Sequence, residues 1–432
     1  MNRSLGPRLS LMMFLQFFVW GAWYTIIGNY MVANGMADLT HWPYTVNPIA
    51  AIVAPFFLGL VADRYFPTEK VLGVLHLLGG VFMFMTPGAT GNPVLFIGLL
   101  LLYNLCYMPT LGLANLLAFT HITDQEKQFP LIRVFGTIGW IVAGLFIGFV
   151  LGQFSGDRLP DQTALPLYTT AIASIVLGFY SFSLPHTPPP GKGQPVSVRS
   201  IVGLDALQHL KGRAFYVFLI SSMLICIPLA AYYNQAAIFV GATIYAQETQ
   251  NFMTAIFPNP SSLMTIGQMS EALFLLVMPF FFRRLGVKWM LALGMLTWVV
   301  RYAFFAIGAP AASFWLIALG VAVHGMCYDF FFVTGQIYVD KKSTPAIRSQ
   351  AQGLLVFATY GVGLGIGAPI VGGIYNAIKA GKALPTLAEW QAFWWVPAAF
   401  ALGVLLLFVL LFRDDVDRET KVTADLSAET AA

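Results

Sequence analysis

The chain has 432 residues, of which 58% are hydrophobic and 10% charged, and its mean hydropathy is +0.74. Soluble domains carry about 25% charged residues, so this composition excludes a water-soluble globular protein and points to an integral membrane protein. The formal net charge of +4 reads as a membrane-topology signal and gives no support for nucleic-acid binding.

A spanning helix needs about 20 mostly apolar residues. Runs of that kind predict twelve spans, near 9–31, 43–62, 71–88, 93–118, 130–153, 164–184, 214–240, 262–282, 288–307, 313–338, 350–375 and 391–412. The first follows MNRSLGPR, is too long for a signal-peptide core and has no small-residue cleavage site, so it is expected to be retained. Cytoplasmic loops hold the excess of Lys and Arg. With the N-terminus inside, 18 of the 23 basic residues fall on the cytoplasmic side and 3 on the other, while Arg133 and Arg301 lie in or at the edge of spans. Both termini are therefore expected in the cytoplasm, in a bacterial inner membrane.

In span 1, Gln16, Trp20 and Trp23 repeat at i, i+4 and i+7, and Trp20 lies far enough inward to suit a cavity wall. The turn after span 2, GLVADRYFPTEK, contains Asp63 and Arg64. This pair reads either as a charged latch that engages in one gating state or as an ordinary positive-inside turn. In span 5, Arg133, Thr137 and Trp140 fall at i, i+4 and i+7 and place a cation, a hydroxyl and an aromatic face on one stripe. That mixture suits a small ring-bearing polar solute, although Arg133 also suits a snorkelling anchor.

Between spans 6 and 7, LPHTPPPGKGQPVSVRS is rich in Pro and Gly and reads as a linker. The segments FPLIRVFG and TPAIRSQA share Pro-x-Ile-Arg at an offset of 215, and Arg64 and Arg284 are 220 apart, which favours an internal duplication. The expected division is an N-terminal six-helix half (1–185), a linker (186–213), a C-terminal six-helix half (214–412) and a cytoplasmic tail (413–432).

Ionisable residues inside spans usually face the bundle interior and mark a pathway. Span 7 carries the polar patch Tyr232, Tyr233, Asn234 and Gln235, which cannot all face lipid. In span 8, Glu271 sits near the middle with Gln268 three residues before it on the same face. Glu271 reads as a proton carrier or as a neutral structural carboxyl. In span 10, HGMCYDFFFVTG brings His324 and Tyr328 to one face, with Asp329 next to them. Asp329 suits coupling, or an internal pair with Arg301 of span 9. The three cysteines lie within spans, and no Walker loop, Ser/His/Asp grouping or metal-ligand spacing is present, so no cofactor and no enzymatic activity are expected.

The stretches LQFFVWGAWYTIIGNYM, YMPTLGLANLLAF, FPLIRVFGTIGW, GQMSEALFLLVMPFF, YDFFFVTG and PAIRSQAQGLL resemble the nucleoside:proton symporter family of the major facilitator superfamily over nearly the whole chain. The resemblance implies an all-α membrane fold of two six-helix repeats around a central cavity, and proton-coupled nucleoside uptake by a monomer. Carried over by motif, it implies Arg133, Thr137 and Trp140, Gln268 and Glu271, and Tyr328 and Asp329 as substrate contacts, with Glu271 and Asp329 coupling the proton. Trp140 and Tyr328 stand where the family often has phenylalanine, and His324 where it can have tyrosine. Span 7 departs most, with LAAYYNQ where the family places Gln and Asn; Tyr233 and Asn234 are the candidates there. That departure leaves a transporter of another small polar solute, such as a sugar or drug, as the alternative. A membrane enzyme or sensor is disfavoured by the short polar tail.

Overall fold

The computed structural model describes residues 5–57, 65–189, 207, 210, 212–246, 252–344 and 347–414, and among them there is no strand. The twelve expected spans correspond to helices in order. Span 1 is Leu5–Gly21 continued by Ile27–Ala33, span 2 is Trp42–Phe57, and spans 3 to 6 are Thr68–Ala89, Pro93–His121, Lys127–Phe154 and Leu165–Ser181. Span 7 is Arg213–Tyr245, spans 8 and 9 share Pro260–Gly308, and spans 10 to 12 are Phe314–Lys342, Gln350–Lys379 and Leu387–Leu411. Asp63, Arg64, most of the linker and the tail beyond residue 414 lie outside the described residues.

Local sequence starts these helices where they are needed. Asp124 accepts from the Lys127 N–H at 3.0 Å and caps span 5. Asn259 and Ser262 form a reciprocal capping box at the start of span 8, and Thr386 and Glu389 do the same for span 12. Spans 8 and 9 continue through a single left-handed residue, Gly286 at φ 66°, a conformation that costs glycine little.

Three irregularities fall at cavity depth. Span 1 tightens at residues 22–26, where Trp23 and Tyr24 both donate to the Trp20 carbonyl. Span 10 turns at Val323 and widens into a π-helical stretch over Asp329–Val333, and span 11 widens over Phe357–Gly363. Such wide turns are common at functional sites because they re-aim side chains without breaking the helix.

Spans 1 to 6 pack mainly on one another, as do spans 7 to 12, and the two sets meet along spans 1, 2 and 5 on one side and 7, 8 and 11 on the other. At one end of the bundle they are locked together. Asn29 of span 1 donates to the Ala237 carbonyl of span 7 at 3.2 Å and to the Asp161 carboxylate at 2.5 Å. Asn259 donates to the Gly148 carbonyl at 2.8 Å, Lys379 pairs with Asp38, and Asn376 donates to the Asp38 carbonyl at 2.8 Å.

Asp161 lies in the short turn Pro160–Gln162 between spans 5 and 6, is 1% exposed and has one carboxylate oxygen without a partner. Burial pushes its carboxyl up to about 6, against the opposing effect of the Asn29 hydrogen bond. A raised carboxyl pKa means that the closed fold binds a proton more tightly than the open chain does. The closed end is therefore strongest in acid and loses stability as pH rises from about 4 to about 6, by about 3 kcal/mol in total. Asp161→Asn is expected to flatten this dependence and to hold the end closed above pH 6. A pair of spin labels or fluorophores across Asp38 and Lys379 loops reads the distance; equal pH dependence in wild type and variant refutes the assignment.

Candidate functional site

Close backbone approaches set the cavity walls. A Cβ on Gly139 would lie 2.2 Å from the Phe14 carbonyl oxygen, and one on Gly21 would lie 2.9 Å from the Trp140 ring, so spans 1 and 5 pack without intervening side chains. This brings the span 5 stripe of Arg133, Thr137 and Trp140 against Phe17, Trp20 and Tyr24. On the other side, a Cβ on Gly325 would come 2.4 Å from the Ser270 backbone. Span 10 thus lies directly on span 8 at the level of Glu271, which puts His324 and Tyr328 beside Gln268 and Glu271.

The resulting cavity encloses about 630 Å³, its mouth included, and is lined by both sets of spans. Arg133, Thr137, Trp140, Tyr233, Gln268, Glu271 and Tyr328 all line it. So do Phe17, Trp20, Tyr24, His324 and Tyr360.

The chemistry divides into flat faces and polar groups. The Trp20 ring centroid lies 5.2 Å from that of Trp140 and 5.4 Å from that of Tyr24, each pair edge-on, and Tyr24 meets Tyr233 at 5.5 Å. The Tyr328 and Tyr360 hydroxyls share a hydrogen bond of 2.6 Å. Arg133 is half-buried, its guanidinium carbon 4.1 Å above the Phe17 ring. Stacking on that ring orients the planar fork while leaving its N–H edge free to bind oxygens. Glu271 is half-buried and Gln268 is 9% exposed, so an acid and an amide stand together in an otherwise aromatic wall.

Two candidates lie elsewhere. Asn234 is buried against span 11, donating to the Ala368 carbonyl at 3.3 Å, and is not among the lining residues. Asp329 is 1% exposed behind the lining, with Oδ2 lacking a hydrogen-bond partner. Arg301 is paired not with Asp329 but with His324, Nη2 to Nδ1 at 2.8 Å. Gln16 does not share the Trp20 face either. It donates to Thr110 at 2.7 Å, and its amide oxygen is 2.9 Å from Nε2 of His76, inside the packing of spans 1, 3 and 4.

Phe17, Tyr24 and Tyr360 were not singled out from the sequence. Phe17 and Tyr24 lie at i, i+3 and i+7 with Trp20, a helical stripe that the sequence does contain. Tyr360 is hidden in the Gly-rich stretch of span 11, whose composition signals close packing. Among the described residues no cluster of His, Cys, Asp or Glu could hold a metal ion.

Comparison with known proteins agrees with this architecture. The family model described as nucleoside H+ symporter matches residues 1–417. YegT of Escherichia coli (strain K12) is 38% identical over 425 residues, covering 97% of this chain and 96% of that protein. The nucleoside permease NupG of the same strain is 31% identical over 420 residues, covering 95% and 96%. The crystal structure of the nucleoside transporter NupG superposes with a TM-score of 0.82 at 30% identity, covering 96% of this chain and 100% of that one. With its helical spans and its two packed sets of six, this multi-pass membrane protein belongs to the nucleoside H+ symporter family of major facilitator transporters.

Proposed function

We propose that the chain carries nucleosides together with protons into the cell, by alternating access of an N-terminal half (1–185) and a C-terminal half (214–412) rocking about the central cavity. The observation that carries this reading is the lining itself. Flat aromatic faces suit a nucleobase, the Arg133 fork and the Thr137 hydroxyl suit carbonyl and sugar oxygens, and Gln268 and Glu271 suit ribose hydroxyls. Glu271, the one carboxylate of the lining among the described residues, exchanges the proton, and Asp329 behind Tyr328 is its partner in coupling. The excess of basic residues at the opposite end supports an outer position for the closed end, with Asn29, Asp161 and Lys379. This is accordingly an inward-facing arrangement with both termini cytoplasmic, and the chain acts as a monomer.

One observation favours a second reading. Tyr233 is the sole span 7 residue in the lining, while Asn234 and Gln235 turn to Ala368 and Thr40. A bulky phenol there reshapes the site toward another small polar solute. Uptake of labelled uridine and adenosine into proteoliposomes, with and without an inward proton gradient, decides between them. Gradient-dependent accumulation of either nucleoside supports the first reading; a folded, inserted protein that moves neither supports the second.

A further inference from the structure

Arg301 is wholly buried in span 9, at 0% exposure, and among the described residues it forms no ion pair with a carboxylate. Its surroundings are aromatic. The guanidinium carbon lies 4.1 Å above the Tyr232 ring, and that ring stacks on His324 with centroids 5.2 Å apart and planes 16° from parallel. Burying a cation in a span is costly and calls for a function. The contact that gives it one is the 2.8 Å approach of Nη2 to Nδ1 of His324.

A guanidinium has five N–H donors and no acceptor. Nδ1 of His324 must therefore present its lone pair, and the ring hydrogen must sit on Nε2. A second proton on Nδ1 would set N–H against N–H beside a full positive charge. The stacked Tyr232 ring fixes the plane of the imidazole from one face, and the packing of Gly267, whose Cβ would lie 3.2 Å from that of His324, fixes its base. His324 in turn lines the cavity.

We infer that Arg301 is a positioning residue that locks His324 as a neutral Nε2–H donor, and that this donor reads a hydrogen-bond acceptor on the nucleobase, a carbonyl oxygen or an unprotonated ring nitrogen. His324 then sets base specificity and is removed from proton carriage, which stays with the carboxylates. A site built around a fixed donor rejects an analogue that lacks the matching acceptor far better than an apolar wall does, because the donor is left unpaired. The inference rests on the nucleoside reading above for its ligand, but the state of the imidazole is independent of it.

The test has two arms on the full-length protein. In the first, ¹⁵N-histidine NMR of the reconstituted transporter, with His324 assigned by comparison with His324→Gln, reads the ring state across pH 5 to 8. A protonated Nε2 beside an unprotonated Nδ1, unchanged over that range, is expected; a proton on Nδ1, or an imidazolium forming within it, overturns the lock. Arg301→Gln is expected to restore titration. If that variant does not fold, the wild-type spectrum alone still decides.

In the second arm, binding of uridine and adenosine is measured first, and adenosine then competes against analogues in which one ring-nitrogen acceptor is replaced by C–H, namely 1-, 3- and 7-deazaadenosine. Wild type is expected to lose about tenfold or more in affinity for at least one analogue relative to its parent. His324→Phe should bind parent and analogue alike, and His324→Gln, which keeps a donor, should recover part of the preference. Equal discrimination by wild type and His324→Phe overturns the specificity role. Failure of wild type to bind any nucleoside sinks the nucleoside reading and this ligand with it, and leaves the ring-state result standing by itself.

Discussion

Replacement of Glu271 by glutamine is expected to abolish proton-driven accumulation while preserving exchange of labelled for unlabelled substrate. The carboxyl lines the cavity beside Gln268, directly under the backbone contact between Gly325 and Ser270. Glutamine keeps the size and hydrogen-bonding reach of the side chain but cannot take up or release a proton between pH 5 and 8. Each proton carried inward down a gradient of one pH unit supports at most about tenfold accumulation of a neutral solute, because one unit is worth about 1.4 kcal/mol. Wild type should therefore exceed the equilibrium level by up to about tenfold per proton, and Glu271→Gln should stop at equilibrium. Counterflow measured in the same vesicles separates the two functions. A variant that still accumulates moves the coupling role to Asp329; a variant that also loses counterflow shows that Glu271 is needed for binding or for the transition itself.

Much of this site is legible in the sequence because it depends on helical period and on rare polar residues. Arg133, Thr137 and Trp140 recur at i, i+4 and i+7 in a helix capped by Asp124, and they do share the cavity face. Gln268 and Glu271 are conspicuous because no other amide or charged side chain lies in span 8 before the basic residues at its end.

What period alone misses is the rotation of a helix about its axis. Neighbouring residues differ by about 100° around an α-helix, so a small change of phase exchanges one residue for the next. In span 7 that places Tyr233 in the cavity and turns Asn234 to span 11. In span 1 it selects Phe17, Trp20 and Tyr24 and sends Gln16 to His76 and Thr110, where its amide finds partners inside the helix packing.

The irregular turns are equally hidden. The tightening at residues 22–26 and the wide turns at Asp329–Val333 and Phe357–Gly363 follow from packing between helices distant in sequence. The widening begins at Asp329, next to Tyr328; Tyr328 lines the cavity and Asp329 lies behind it. The partner of Arg301 is likewise a matter of three-dimensional phase. Both Asp329 and His324 lie in span 10, and only the fold shows the guanidinium beside the imidazole.

Arg133→Ala is expected to weaken substrate binding by about 10- to 100-fold, the equivalent of losing one or two charge-assisted hydrogen bonds worth about 1.5–3 kcal/mol. The level of inserted protein and its melting temperature should change little. Arg133 makes no ion pair among the described residues, and its guanidinium lies over the face of Phe17, a contact worth about 1 kcal/mol in a half-buried setting. Arg133→Lys tests the geometry of the charge. Lysine restores a cation but neither the planar fork nor its stacking on Phe17, so most of the affinity loss should persist. Binding measured by isothermal calorimetry or by protection against thermal unfolding, alongside the yield of folded protein, distinguishes the two readings of this residue. Should both variants bind normally but insert poorly, Arg133 is an interfacial anchor whose side chain happens to border the cavity. Normal insertion with binding lost in Ala and largely lost in Lys makes its fork the contact that draws the polar end of the substrate to span 5, opposite Glu271 in span 8.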